Sequence, residues 1–449
     1  VDIAYCTNAV AGPTLAETRA NVVRVFGAVR AALAGRDAAT EADGGSLAEP
    51  PGCGVSRPPG DGIGGGSGGV FGDGSRGGSA DRAPLPIGLW LSERAAHELA
   101  RTPDGARRLR DEFGEHGLEV ASLNAFPYHA FHAPVVKHRV YEPSWADASR
   151  LLYTVALAEM LPALLPAGAT RASISTVPVG WRPHVLAERG GAALGLASAH
   201  LQQLVRHLAR VEERTGVRVH VDLEPEPGCL LDRAGDAVAF LEPVLARRRG
   251  EPDPRRYLGV CHDICHAAVM FESQREALTC YRSAGIRVGK VQVSSAPECQ
   301  GAPDELAVLA SFAEPRYLHQ TCVRDQGTVR FYEDLPQALA DAGPGEWRTH
   351  FHVPVFAGRL GALGTTQDEI HECLREIARW PDDEAPQVEV ETYAWSVLPE
   401  TVEIGAGGAE GAAEARLAQG MAAELRWTAR ALAAARPRKD TDAWPRGSN

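Results

Sequence analysis

What this 449-residue chain lacks narrows it first. No apolar run approaches the roughly 20 residues of a membrane span, and the first residues show no charged-then-apolar leader. A cytoplasmic protein is therefore expected. An excess of positive charge is missing too. Lys and Arg total 46 against 58 Asp and Glu, a formal charge of −12, which argues against nucleic acid or an anionic membrane as the main partner. The nine cysteines are odd in number and irregularly spaced, so they form no disulfide framework and read as reduced core residues. Cys261 and Cys265 flank Asp263, but Cys-x3-Cys without a second thiol pair is a poor zinc signature. The triple glycine Gly64–Gly66 follows no strand and precedes no lysine, so it is not a phosphate-binding loop. There is no internal repeat, and nothing sets the oligomeric state; a homo-oligomer is compatible with the chain.

What is present is enough apolar residue, 44%, for a sizeable core, arranged as eight short apolar runs. They are Val1–Asn8, Pro86–Leu91, Leu118–Asn124, Ala172–Val177, Val217–Glu224, Tyr257–Cys261, Ile286–Val293 and Gln387–Thr392. Helical patterns separate most of them, as after Thr14 and over Ala199–Thr215. Alternating strands and helices predict an α/β fold, a parallel (β/α)8 TIM barrel, as one domain over 1–435. From 41 to 84 the composition collapses to Gly, Ser, Pro and Asp, a flexible insertion after the first helix. A second excursion separates the last two strands. It holds Leu318–Gln320, a hairpin around Gly327 and the extended stretch Arg348–Val353. A closing helix over roughly Glu410–Ala435 precedes a polar tail, 436–449.

In such a barrel the C-terminal strand ends converge on the active site, so ionisable residues should gather there. Glu224, Asp263, Gln292 and Glu391 do, at the ends of strands five to eight. Period two puts His220, Asp222 and Glu224 on one face, as it does Lys290 with Gln292 and Glu389 with Glu391. Buried carboxylates need a counter-charge. A divalent ion, Mn²⁺, Mg²⁺, Co²⁺ or Zn²⁺, supplies it for this mixed ligand set. The plainer alternative is an internal salt-bridge network through Lys290, His220 and Arg287, with Asp263 merely capping a helix. His350-Phe351-His352 turns two imidazoles the same way, toward metal or substrate. His129 and His132 follow strand three, and His319 reads as a satisfied, partly buried histidine. Glu224 and Glu391 suit proton transfer beside a carbonyl, one removing the proton and the other returning it. The metal would polarise the oxygens of the enediolate between them.

These residues resemble the xylose-isomerase-like TIM-barrel superfamily, which includes ketose 3-epimerases, inosose dehydratases and the AP-endonuclease family. There a Glu, an Asp-x-x-His, a His or Gln and a final Glu come from strands five to eight, matching Glu224, Asp263 with His266, Gln292 and Glu391 in order. His350-x-His352 sits where the endonuclease branch places an Asp-x-His, and His129 or His132 where it places another ligand. More closely, YCTN (Tyr5–Asn8), LNAFPYHAFH (Leu123–His132), VKHRVYEPSW (Val136–Trp145), DLEPEPGC (Asp222–Cys229), CHDICHA (Cys261–Ala267), KVQVSSA (Lys290–Ala296) and VEVETYAWSVLP (Val388–Pro399) resemble the EboE family of metabolite traffic proteins. The resemblance implies a metal-dependent isomerase or epimerase of a small polyol or cyclitol, in a pathway for an exported metabolite. Glu224 and Glu391 would be catalytic. Glu224, Asp263, Gln292, Glu391, His350 and His352 would be the metal set, and His266, His352, Lys137 and His132 would hold substrate. Gln292 stands where many relatives carry histidine, which favours a harder metal. Strand two ends in Trp90-Leu91-Ser92 without a histidine, which leaves an endonuclease cluster incomplete. A phosphodiesterase of that type and a non-catalytic carrier are the alternatives.

Overall fold

Strands buried on both faces read as apolar runs, and such strands pair in parallel under a layer of helices. In the computed structural model, which describes residues 3–10, 12–42, 83–341, 343–399 and 413–436, eight of them close on themselves. These are β1 (Ile3–Cys6), β2 (Leu85–Trp90), β3 (Leu118–Asn124), β4 (Arg171–Thr176), β5 (Arg218–Leu223), β6 (Leu258–Asp263) and β7 (Arg287–Val293). After β8 (Pro297–Cys299), β9 (Thr321–Asp325), β10 (Thr328–Tyr332), β11 (Glu346–Thr349), β12 (Arg359–Leu360) and β13 (Leu363–Thr365), the chain returns for β14 (Gln387–Val390). The barrel order is β1-β14-β7-β6-β5-β4-β3-β2, parallel throughout. The protein is a (β/α)8 barrel, and β14 fills the place expected for strand eight.

Three boundaries differ from the sequence reading. β6 runs on to Asp263, while Glu224 and Glu391 each lie one residue past their strands. Leu318–Gln320 forms no strand but leads into β9. The hairpin around Gly327 is real, and it belongs to a six-stranded sheet, β10-β9-β11-β8-β13-β12, that the sequence did not announce. The first helix, Leu15–Ala42, runs two residues into the expected insertion; positions 43–82, like the tail from 437, lie outside the described residues. The eight described cysteines are all free. Among the described residues no helix is long and apolar enough to cross a membrane.

The barrel interior is polar, where aliphatic layers are usual. Along β5, Val219, Val221 and Leu223 join the hydrophobic core, leaving His220 and Asp222 to face inward. Asp222 accepts from Ser173 Oγ (2.5 Å) and lies 2.8 Å from His220 Nδ1. Glu389 accepts from Ser122 Oγ (2.6 Å) and pairs with Lys290 Nζ (3.3 Å). Glycines make the room: a Cβ on Gly88 would collide with the Glu389 carboxylate, and one on Gly289 with that of Asp222. The wall is fastened from outside by Glu424 of the closing helix, Ala413–Ala435. Its buried carboxylate accepts from Tyr5 Oη and Thr392 Oγ1 (2.6 Å each) and from Val355 N (3.1 Å).

Candidate metal centre and its cavity

One layer above the compensated pairs, at the strand ends, the compensation stops. Glu224, Asp263 and Glu391 come from three strand ends and offer carboxylate oxygens all within 4.8 Å of one another, a spacing that one divalent ion can bridge. Lys290 and His220, the candidates for an internal salt-bridge network, are engaged one layer down. Glu224 Oε2 and Asp263 Oδ2 are buried without a hydrogen-bond partner, as are both amide atoms of Gln292, which sits beside Asp263 in register. Buried polar atoms are nearly always bonded, so orphans from three residues at neighbouring strand ends fit a cation held beside them.

Asp263 takes the capping role and leaves one oxygen over. Its Oδ1 caps the following helix by accepting from His266 N (2.9 Å) and also accepts from Ser294 Oγ (2.7 Å). That fixes the carboxylate with Oδ2 free. Glu391 is steered similarly: Oε1 accepts from Asn8 Nδ2 (2.7 Å) and Asn124 Nδ2 (3.0 Å).

The histidines present one tautomer. His266 Nδ1 lies 3.0 Å from Pro225 O and His352 Nδ1 2.6 Å from Glu391 O. A carbonyl only accepts, so each Nδ1 carries the proton and each Nε2 keeps its lone pair. His350 Nδ1 meets Gln320 Oε1 at 2.8 Å, while Gln320 Nε2 donates to Tyr141 Oη (2.7 Å) and Glu226 Oε1 (3.1 Å). His350 and His352 then point unprotonated Nε2 atoms at each other across 3.3 Å. Two facing lone pairs repel unless a cation or a proton joins them, and carbonyl-anchored imidazoles are how metal ligands are held. Asp263, His266 and His352, and likewise Glu226, His266 and His350, also have ligand atoms in mutual reach. His350 and His352 follow β11 rather than lying in a strand; Phe351 between them packs the other way, on Phe312.

Burial sets the charges. It pushes Glu224 well above the usual carboxylate range, reinforced by Glu391 and Asp263, and lifts Glu391 to about 8 with help from Asp263 and Glu389. Burial also presses on Asp263, yet the net displacement is downward. The neighbouring rings are neutral, His266 being driven to about 4 by burial and His350 well down. Against burial, positive charge on His266 and His352 as those rings protonate, and then the donors His266 N–H and Ser294 O–H, hold the Asp263 charge.

The structure brings Glu224, Asp263, Glu391, His266, His350 and His352 together. It does not bring His132 to the cavity surface: that ring is spent on Asn8 O (2.5 Å) and Tyr317 Oη (3.3 Å), positioning the asparagine that holds Glu391. Lys137 does line the cavity, with Nζ already paired to Asp334 at 2.5 Å. His319 is bonded through both nitrogens, to His350 O and Glu314 (3.1 Å each). Sequence reasoning missed Glu226, whose buried carboxyl is lifted to about 7 and accepts from Tyr141 Oη (2.6 Å). It also missed Asn8, Asn124 and Gln320. The two asparagines had a usable signal, since Asn8 follows β1 and Asn124 ends β3 just as the acidic residues close theirs.

No family model and no curated protein matches the chain. Among solved structures, it is similar to a xylose isomerase-like TIM barrel protein from Mycobacterium smegmatis in complex with magnesium, at 12% identity, TM-score 0.40, over 78% of this chain and 84% of that one. It is similar to D-psicose 3-epimerase with D-tagatose from Clostridium cellulolyticum H10, at 14% identity, TM-score 0.39, over 77% and 89%. It is also similar to IolI protein with a bound zinc atom, at 12% identity, TM-score 0.38, over 78% and 88%. With overlaps this loose, the reading of the site rests on this chain's own side chains.

Proposed function

We propose that this chain is a divalent-metal-dependent enzyme that moves a proton on carbon beside a carbonyl, as an epimerase or isomerase of an oxygen-rich small molecule. The carrying observation is that Glu224, Asp263 and Glu391 converge, among the described residues, with no Lys or Arg paired to them and with neutral histidines 3.9 Å from Asp263, while the carboxylates one layer lower pair closely with His220 and Lys290. Glu224, Asp263, Gln292 and Glu391 would hold the ion, with His350 and His352 extending the donor set. Bound there, Mn²⁺, Mg²⁺, Co²⁺ or Zn²⁺ supplies the positive charge that polarises substrate oxygens. Glu224, with Oε2 unbonded, takes the proton. Glu391, oriented by two asparagines, returns one. His266 accepts from a substrate hydroxyl through Nε2, and the single lone pair of His352 serves either the metal or a substrate hydroxyl. The motifs similar to the EboE family support a place in the pathway of an exported metabolite.

Incubating the Mn²⁺-loaded protein in D2O with ketoses and inososes, both free and as aryl or alkyl ethers, then removing the metal for NMR, tests this. Solvent deuterium at one carbon is expected, and none with Glu224→Gln or Glu391→Gln. Tight binding without exchange would instead indicate a carrier. The histidine row also suits phosphodiester hydrolysis, but Lys137 is engaged with Asp334 and phosphate backbones call for free basic surface. Cleavage of abasic DNA would favour that reading.

A further inference from the structure

The cavity over the carboxylates has two unlike ends. Its floor carries Glu224, Glu226, Glu391 and the Nε2 atoms of His266, His350 and His352; its outer wall is Phe126, Phe131, Val136, Val140 and Leu318 with the rings of three tyrosines. The enclosed part of the cleft is small, about 60 Å³, and it opens to solvent at its mouth.

The polar atoms of the wall bear on what this asymmetry selects, because each already has a partner, on the floor or beyond the cavity. Tyr141 Oη donates to Glu226 and accepts from Gln320. Tyr317 Oη bonds His132 Nδ1 (3.3 Å), Tyr393 Oη approaches His350 Nε2 (3.4 Å), and Lys137 Nζ sits on Asp334. Phe131, Tyr317 and Tyr393 pack as a trio with ring centroids 5.1 to 5.3 Å apart, a preformed carbon surface. A free hexose or cyclitol bears hydroxyls all round. With two or three of them on the floor, the rest would leave water for a wall of carbon, which opposes binding.

We infer that the substrate is bipolar, with two or three adjacent oxygens for the floor and an aryl or alkyl body for the wall, rather than a free sugar. This rests on the metal reading above and narrows it. Phe131, Val136 and Val140 then set specificity and take no part in proton transfer.

The test is calorimetric titration of the Mn²⁺-loaded full-length protein with acetohydroxamic acid and with 4-phenylbutanohydroxamic acid, which share one chelating head and differ in the tail. The phenyl tail should tighten Kd at least about 10-fold, the worth of burying a ring. Phe131→Asn and Val140→Asn should erase most of that gain while leaving acetohydroxamate affinity as it was, which also shows that the variants are folded. Equal affinity for the two probes in the unaltered protein overturns the bipolar substrate and leaves the metal reading standing. Failure of acetohydroxamate itself to bind brings down the metal reading, and the inference with it.

Discussion

Glu391 shows what a buried acidic residue costs. Its carboxyl is lifted to about 8 in the fold against 4.5 when free, so between those values the folded chain holds a proton that the unfolded chain has released. Stability from that proton is complete below about 4.5 and is lost as pH rises to about 8. Glu224 is displaced in the same direction, as are Glu226 and Glu424, each to about 7. Asp263 is displaced downward and acts only below this window. Urea denaturation of the metal-free protein should therefore show stability falling, by about 1 to 2 kcal/mol, from pH 7 to 8; below 7 the buried histidines, driven down from 6.5, act in the opposite direction. Saturating Mn²⁺ should flatten the slope; a metal-free midpoint that rises over that range would contradict the arrangement. At this scale the sequence was readable where period two met a strand end, as for Glu224, Asp263 and Glu391. Glu226 and Gln320 lie in bends with no local period, so only the fold could bring them in.

The six-stranded sheet places the histidine row. Its strands are two to five residues long and pair antiparallel across long stretches of chain, β8 with both β11 and β13. Periodicity cannot report such pairing, which is why the sequence yielded a hairpin and an extended stretch but no sheet. Arg348 of β11 ties this sheet to the barrel. It donates to Ala268 O (2.9 Å) beside the helix that carries His266, bonds Glu369 (3.1 Å), and pairs with Glu298 (3.2 Å) and Glu346 (3.3 Å). Replacing it by Met strips Glu298 and Glu369 of their arginine while Glu346 keeps Arg324, so Arg348→Met should cost about 3 kcal/mol in urea denaturation. An unchanged midpoint would mean that the sheet is fastened by other contacts.

Across the whole molecule, polar residues are layered along the barrel axis. Lower carboxylates have partners of opposite charge or hydrogen-bond donors, and the uppermost three are left facing one another. Eight buried parallel strands made the barrel legible, since each must be apolar on the side under its helices. The same alternation exposed the inward charges. What the alternation could not show is that Lys290 and His220 serve the lower layer, because that depends on side-chain reach across the barrel. The most direct measurement is calorimetric titration of Mn²⁺ into the metal-free protein and into Glu224→Gln and Asp263→Asn. Each variant should bind at least about 100-fold more weakly, beyond the 10–100-fold that outer partners of a metal site cost. Affinity equal to that of the unaltered chain would show that these carboxylates share no ion.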